Sequence, residues 1–218
     1  MLKYLSILIL LLLPVLVISQ DVSSMVDASD TLNEETWELS SEKPGIKVYT
    51  RIPENSNIKE LRIKVDLKGD MDTLLNIVND ANNFGSWVYK CADSSPVTPP
   101  EGYNMAYAAT TDFPFPMSDR ELVAYSKQWL DEKGRIHTHT ICAPDAIPVK
   151  SGIVRIQAYE ARWPIEQVDE ENIHVDYVSF VDPGGHIPAW IINLALTAGP
   201  MKTFEKLIDQ VEKKSYIH

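Results

Sequence analysis

Apolar and polar residues alternate along most of the chain between residues 46 and 182. A period of two is typical of half-buried antiparallel strands, because successive side chains point to opposite faces of a sheet. The pattern predicts strands in eight stretches: IKVYTRI, IKELRIKVDL, WVYKCADSSPV, YNMAYAATT, DRELVAYSKQWL, RIHTHTICA, GIVRIQAYEARWPIEQV and NIHVDYVSFVD. Polar clusters such as TPPEG, DEKG and VDEEN separate them as turns.

Helical spacing replaces the alternation in three places. Asp30 or Thr31 can cap a helix that runs through about Ser40 and ends at Lys43-Pro44-Gly45. Asp70 precedes MDTLLNIVND, whose apolar residues form one stripe, and ANNFGSW follows as a short helix or turn. One long helix ends the chain. This order of elements predicts an α+β domain with a curved antiparallel sheet.

The final helix is predicted to be apolar around most of its circumference. Asp182-Pro183-Gly184-Gly185 forces a reversal after the last strand, and Pro188 fits a first helical turn. Apolar positions at helical spacing fall into two sets: Ile192, Leu196, Gly199, Pro200 and Thr203, and Trp190, Leu194, Met201, Phe204 and Ile208. Because so wide an apolar arc must be covered, the sheet must wrap around this helix.

The first 19 residues have the pattern of a secretory signal peptide. One lysine precedes an apolar run up to Ile18, and small or branched residues precede a cut before Gln20. An uncleaved N-terminal anchor is the alternative. Residues 20–30 are expected to form a flexible lead-in, and residues 31–216 the domain. We therefore expect a secreted or periplasmic protein.

Composition limits the partners. The chain has 218 residues, 44% of them hydrophobic, so it can bury a sizeable core, and its formal charge is −11. Such a charge opposes nucleic-acid phosphates and anionic headgroups, so we expect no nucleic-acid partner, and any membrane contact must be apolar, local and transient. A monomer is expected. Cys91 and Cys142 can form one disulfide, but two buried free thiols are favoured.

The sequence contains no motif for nucleophilic or metal catalysis, such as Gly-x-Ser-x-Gly, His-Glu-x-x-His or Cys-x-x-Cys, and no Gly-rich phosphate loop. His137 and His139 share one face of a predicted strand, but no third ligand lies nearby. We therefore predict no catalytic residue, no metal and no cofactor. Arg120 is expected to pair with a local acid or with backbone carbonyls and so to brace its loop.

Two segments resemble a known family. The stretch from Asp182 to Asn193, with Pro200 and Leu207 downstream, is similar to the last strand-to-helix segment of START (steroidogenic acute regulatory protein-related lipid transfer) domains. Phe113-Pro114-Phe115-Pro116-Met117-Ser118-Asp119-Arg120-Glu121 is similar to the segment of that family before a long strand. The resemblance covers roughly residues 32 to 215 and implies a helix-grip fold, a sheet wrapped around the C-terminal helix, with an internal tunnel for a lipid or other apolar molecule.

The resemblance also orients the strands. Ser126 falls where some sterol-binding members carry a cavity arginine, and Tyr107 falls near their cavity acid, which argues against a sterol of that type. The same register points one side of each strand inward. The predicted ligand-binding residues are the inward residues of three strands and the first apolar set of the final helix. The strand residues are Met105, Tyr107, Ala109, Leu122, Ala124, Ser126, Thr138 and Thr140. The helix residues are Ile192, Leu196, Gly199, Pro200 and Thr203.

Three functions remain open at this point. The favoured one is non-catalytic binding, with or without transfer, of a lipid or other hydrophobic ligand. The second is an aromatase/cyclase-like enzyme that uses the same cavity, with Tyr107, Tyr177 or Asp176 as acid or base. The third is an interaction module with a solid interior. Because Gly199-Pro200 weakens the predicted helix, we expect this helix or the TDFPFPMS loop to move when ligand enters.

Overall fold

The structure is a computed structural model and describes residues 36–54, 56–185 and 187–215. The predicted signal peptide, the lead-in and the start of the predicted first helix lie outside these residues. Among the helices that are described, none combines the length and the apolar character needed to span a bilayer.

Ten strands form one sheet in the order β1-β2-β3-β10-β9-β7-β6-β5-β4, all antiparallel, while β8 pairs in parallel with β6. The chain returns to the middle of the sheet with β10, so residues far apart in sequence become neighbours. The strands are β1 (Glu38–Lys43), β2 (Ile46–Arg51), β3 (Glu60–Lys68), β4 (Cys91–Val97), β5 (Met105–Thr111), β6 (Arg120–Leu130), β7 (Ile136–Cys142), β8 (Val154–Arg155), β9 (Ala158–Gln167) and β10 (Asn172–Asp182).

The helices are α1 (Met71–Val78), α2 (Phe84–Trp87), α3 (Ala189–Ala195) and α4 (Ala198–Ser215), with a 3-10 turn at Ala81–Asn83. Asp70 caps α1: its Oδ1 accepts a hydrogen bond from the backbone N–H of Thr73 at 2.7 Å. That bond to the backbone is the main reason why the pKa of Asp70 is lowered. The α+β class and the sheet closed by a C-terminal helix are confirmed.

The prediction of a helix through Ser40 is wrong for residues 38–40, which begin β1. Pro44-Gly45 is the turn of a hairpin between β1 and β2, and not a helix stop. Gly45 has φ +75°, and a Cβ there would lie 2.9 Å from the carbonyl oxygen of Asp66, so the turn requires glycine. The long predicted strand over residues 152–168 is also divided, into β8 and β9, and Trp87 belongs to α2 instead of β4.

The final helix is divided in two, and its break lies a few residues before the predicted kink. The chain leaves α3 at Leu196-Thr197, and α4 starts at Ala198. Gly199 and Pro200 therefore lie in the first turn of α4, where a missing backbone N–H costs no intrahelical hydrogen bond. The backbone N–H of Met201 bonds the carbonyl of Thr197 at 3.1 Å and starts the regular helix.

The core is packed between α4, α1 and one half of the sheet. Helix α4 buries Met201, Phe204, Leu207 and Val211 on one stripe. They meet buried apolar residues of β2, β3, β9 and β10, including Val48, Ile63, Val65, Ile165 and Val175. The other half of the sheet, formed by β5, β6, β7 and the start of β9, is the part that positions the candidate site.

Candidate functional site

The strand register places all eight predicted strand residues on the face of the sheet that α4 covers. Met105, Tyr107 and Ala109 of β5 pair with Ser126, Ala124 and Leu122 of β6. Ser126 pairs in turn with Thr140 of β7, and Thr138 lies two residues before it. The same rows continue through β9 and β10 to Ile63 of the packed core. We call this surface the inner face.

Small side chains form the floor of the inner face beside the packed core. Ala124, Ser126, Thr140, Ala161 and Ser179 are buried beneath taller neighbours. Tyr107 and Trp163 rise above this floor and remain half-buried. A row of short side chains among tall ones leaves volume that the wall itself does not fill, which is the local geometry of a ligand cavity.

Three tyrosines meet above this floor. The hydroxyl groups of Tyr107 of β5, Tyr159 of β9 and Tyr177 of β10 lie near enough to influence one another, with Tyr159 in the middle, and Ser179 is a further neighbour of Tyr177. Burial is the main cause that raises the pKa of each phenol above its usual range. Each of these side chains nevertheless keeps some accessible surface. Groups that are withdrawn from bulk solvent but not covered by neighbouring atoms border an internal space.

Further hydroxyl and amide groups line the same face in pairs. The Ser126 and Thr140 hydroxyls are 2.9 Å apart, and Gln128 donates through Nε2 to the Thr138 hydroxyl at 3.1 Å. On β5, β6, β7, β9 and β10, Arg120 at the start of β6 is the one charged residue among the described side chains of this face. The wall is therefore polar in places but carries little charge.

Arg120 holds two loops together at one end of the sheet. Its guanidinium donates to the carbonyl oxygens of Pro183 at 3.2 Å and Gly184 at 3.3 Å, and to that of Ser118. It also packs on the ring of Phe113 at 4.6 Å. Burial is the main cause that lowers the pKa of Arg120. The expected bonding to backbone carbonyls is confirmed, and it connects the 112–119 loop to the turn before α3.

The helical residues of the predicted site lie apart from one another. Leu196 is buried in the core cluster and Ile192 is half-buried. Gly199 and Thr203 instead face Tyr89: the Thr203 hydroxyl accepts from the Tyr89 backbone N–H at 3.0 Å, and a Cβ on Gly199 would lie 3.6 Å from the Tyr89 ring. Pro200, in the same turn of α4, is half-buried. These two contacts dock α4 against the segment after α2.

Sequence reasoning missed several aromatic residues of the inner face. Phe204 of α4 contacts Trp163 and Tyr177, with ring centroids 5.7 and 5.4 Å away, and Phe84 of α2 lies 5.0 Å from Tyr107. Tyr159 was missed as well. The alternation of β9 contained the signal, since Tyr159, Ala161 and Trp163 occupy every second position, but only the strand order shows that β9 lies beside β7.

The outer face of the sheet carries charge. Asp176, considered as a catalytic acid, points outward and forms two hydrogen bonds with Arg62 at 2.8 and 2.6 Å, so it does not border the inner face. His137 and His139 also lie outside, where each bonds a carboxylate, Asp131 or Glu160, at 2.8 Å. No cluster suited to holding a metal ion occurs among the described residues.

Both cysteines carry free thiols in the structure. The Cys142 thiol donates to the Ile156 carbonyl at 3.2 Å, and Cys91 to that of Asp93 at 3.5 Å. Burial raises the pKa of both thiols, so they are poor nucleophiles at neutral pH.

An open groove of about 570 Å³ lies on the far side of α4, next to the β1–β2 turn. Three of its charged groups have partners: Lys43 pairs with Glu205, and the Lys202 ammonium lies 4.6 Å from the Tyr89 ring centre. The groove is open to water and lacks the enclosed hydroxyl groups of the inner face. The inner face is therefore the stronger candidate for a ligand site.

Comparison with known proteins agrees with this geometry. An uncharacterised protein of Pseudomonas aeruginosa is 26% identical over 180 residues, which cover 83% of this chain and 89% of that protein. The mouse phosphatidylcholine transfer protein is 28% identical over 189 residues, covering 82% of this chain and 86% of that protein.

Two solved structures share the fold. A STAR-related lipid transfer protein fragment from Xanthomonas axonopodis superposes with a TM-score of 0.75 at 29% identity and covers 81% of this chain and 99% of its own. Human StAR-related lipid transfer protein 5 also gives 0.75, at 15% identity, covering 88% and 93%. The START domain family model matches residues 23–214. The chain therefore belongs to the START domain family.

Proposed function

We propose that this protein binds a lipid on the inner face, between the sheet and α4, and carries it between membranes without chemical change. The observation that carries the proposal is the row of phenols, withdrawn from bulk water yet not covered, above a floor of small side chains. Family membership and the lipid transfer relatives support it.

The wall chemistry suits a mostly apolar cargo. Apolar area that leaves water contributes about 25 cal/mol per Å², so burying hydrocarbon in the hollow supplies the affinity. A few hydroxyl groups then fix its orientation. Met105, Tyr107, Ala109, Leu122, Ala124, Thr138 and Thr140 are proposed as wall residues, with Ile192 and Leu196 at the α3 end. Gly199, Pro200 and Thr203 are proposed to act through the docking of α4.

Entry is proposed at the α3 end of the sheet. Helix α3 is short, and its break from α4 at Leu196-Thr197 allows it to move while α4 stays packed. Phe115, Trp190 and Leu194 are among the most exposed large apolar side chains described, at 97%, 68% and 79%. Phe115 belongs to the loop that Arg120 ties to the turn before α3. This end is suited to a transient contact with a membrane surface.

The proposed oligomeric state, location and partners rest on the sequence. We propose a monomer that is secreted or periplasmic after removal of residues 1–19, with no cofactor and no nucleic-acid partner. A cyclase-like reaction is the alternative, with Tyr107 or Tyr177 as the acid. The raised pKa keeps these phenols protonated near neutral pH, so neither serves as a base.

A substitution that fills the hollow tests the proposal. Ala109→Trp places a large ring on the inner face, and Gln157→Trp, at an exposed position, is the matched control. Protein purified from its native host is extracted and its lipids are quantified by mass spectrometry. We expect a near-stoichiometric lipid in the wild type and the control and a loss of most of it in Ala109→Trp. An empty wild-type protein that takes up no added lipid would refute the function.

A further inference from the structure

Arg120 is held by backbone carbonyls that belong to two separate loops. Its side chain is 3% exposed, and within the described part of the chain each of its hydrogen bonds ends on a carbonyl oxygen. Ser118 supplies one carbonyl from the 112–119 loop, and Pro183 and Gly184 supply two from the turn before α3. A buried guanidinium that is stabilised by carbonyl dipoles depends on all of them, because withdrawing one leaves a buried donor without an acceptor.

The turn before α3 fits closely around this guanidinium. Gly185 has φ +74°, and a Cβ there would lie 3.0 Å from Arg120 Nη2, so a side chain at this position would crowd the guanidinium. The Gly184 N–H donates to Asp182 Oδ1 at 2.9 Å, which fixes the turn to the end of β10. Helix α3 begins at Ala189, soon after the turn. The contacts of Arg120 therefore help to set the position of α3.

The 112–119 loop joins an exposed apolar tip to the same guanidinium. Phe115 protrudes from the loop and is 97% exposed, so it gains free energy when it enters the apolar part of a bilayer. The Phe113 N–H donates to Asp119 Oδ1 at 3.0 Å, which closes the loop on itself, and the Phe113 ring packs on Arg120. A displacement of Phe115 is thus carried through a braced loop to the groups that contact Arg120.

We propose that Arg120 couples contact between the 112–119 loop and a membrane to the opening of α3. When Phe115 enters a bilayer, the loop withdraws its carbonyl and its aromatic ring from the guanidinium. Water then reaches the guanidinium and competes for the bonds that hold the turn before α3. The inference rests on the proposed function and adds its regulation: lipid is released where a membrane is present. Because coupling is reciprocal, opening of α3 also loosens the loop.

The backbone amide of Lys59 reports whether α3 is closed. It donates to Asn193 Oδ1 at 2.8 Å, so its hydrogen exchange speeds up when α3 leaves the sheet. The amide of Ile63 reports unfolding of the whole domain, because β3 is paired on both sides. Exchange of both amides is measured at single-residue resolution, with and without vesicles of dioleoylphosphatidylcholine.

The wild type and two surface variants test the role of the loop. In the wild type we expect vesicles to speed up exchange of the Lys59 amide about tenfold, a typical size for coupling between two sites, and to leave the Ile63 amide unchanged. Phe115→Ser should abolish most of this response. Leu130→Ser removes an exposed apolar side chain at the other end of β6 and is the matched control, which should respond like the wild type.

Two variants of Arg120 test the coupling itself. Arg120→Met removes the donors, so the Lys59 amide should exchange about tenfold faster without vesicles, and vesicles should add little. Arg120→Lys keeps the charge, but a single ammonium lacks the planar fork that reaches both loops, so it should also lose the vesicle response. Wild-type exchange at Ile63 shows that a variant is folded. A role in stability alone would speed up both amides equally and preserve the vesicle response.

The outcomes separate the coupling from lipid carriage. An equal vesicle response in the wild type, Phe115→Ser and Arg120→Lys overturns the coupling, since α3 then responds to the membrane without Arg120. A wild type with no vesicle response overturns it as well. Both results leave lipid carriage intact, because lipid content is measured separately by extraction and uptake. A wild type that holds and takes up no lipid contradicts the proposed function, and the regulated release with it.

Discussion

Successive residues of one strand point to opposite faces of the sheet, and the two faces differ in charge. On β6, Ser126 faces inward and pairs with a neutral hydroxyl, whereas Glu121 faces outward beneath the 143–157 connection. Glu121 accepts from Arg155 Nη2 at 2.6 Å and Nε at 3.1 Å, and these side chains are 1% and 3% exposed. Arg155 also donates to the carbonyls of Ile147 and Pro148. The buried Glu121 carboxylate is thus paired with Arg155 and Lys150 and lies away from the hollow.

Removing one partner of this pair should be costly. In Arg155→Met, Glu121 stays buried with only Lys150, 3.0 Å away, as a counter-charge, and the loop carbonyls lose their donor. We expect the free energy of unfolding in urea to fall by about 3–5 kcal/mol. The double variant Glu121→Leu, Arg155→Met should recover part of that loss, because no unpaired charge remains. If the loss in the double variant equals the sum of the losses in Arg155→Met and Glu121→Leu, the two residues are not coupled.

At the level of elements, the Asn193 side chain ties helix α3 to the connection between β2 and β3. Asn193 accepts from the Lys59 backbone N–H at 2.8 Å and donates to the Asn57 carbonyl at 2.9 Å. Both partners belong to the connection between β2 and β3. If α3 is the gate, these two bonds hold it closed.

The variant Asn193→Ala should therefore speed up ligand exchange. Two lost hydrogen bonds favour the open form by roughly tenfold or more. The rate is measured as the release of a fluorescent lipid, either labelled dioleoylglycerol or phosphatidylcholine, whichever the wild type binds, into excess vesicles. Asn104→Ala removes a comparable bond to the Gln128 backbone and should leave the rate unchanged. Equal release from both variants would place the gate elsewhere.

Local sequence patterns predicted secondary structure well for strands that pair with the next strand along the chain. The alternation predicted β5 and β6 as strands, and the register of the family resemblance put their predicted inward residues on one face, where the strand pairing of the structure also places them. The segment before Pro44-Gly45 was mistaken for helix, because helical spacing and a short edge strand look alike over six residues. The predicted kink at Gly199-Pro200 lies a few residues after the observed break at Leu196-Thr197, because a proline fits the first turn of a helix as well as it kinks a helix interior.

The site itself could be predicted only in part. Tyr107, Tyr159 and Tyr177 come from strands β5, β9 and β10, and no spacing rule connects them. They come together because β10 returns to the centre of the sheet, and the small, buried side chains of Ala124 and Ala161 share their face. Such convergence depends on non-local strand order, which a single sequence does not show.

At the scale of the whole molecule, an acidic protein carries an apolar end. The formal charge is −11, while Trp190 and Leu194, four residues apart, expose one side of α3 beside the loop of Phe115. Apolar insertion and electrostatic repulsion therefore act in opposite directions at an anionic bilayer. Leu130 and Val168 are similarly exposed but lie at the opposite end of the sheet.

Lipid transfer should consequently be faster with neutral vesicles than with vesicles rich in phosphatidylserine, and the difference should shrink as salt screens the repulsion. Trp190→Ser with Leu194→Ser should slow transfer to both vesicle types without changing the equilibrium affinity for lipid, because these side chains lie outside the hollow. Leu130→Ser with Val168→Ser is the matched control and should transfer at the wild-type rate. Equal slowing by both double variants would show that membrane contact is not confined to the α3 end. Faster transfer by the wild type to anionic vesicles would show that a local basic surface outweighs the net charge.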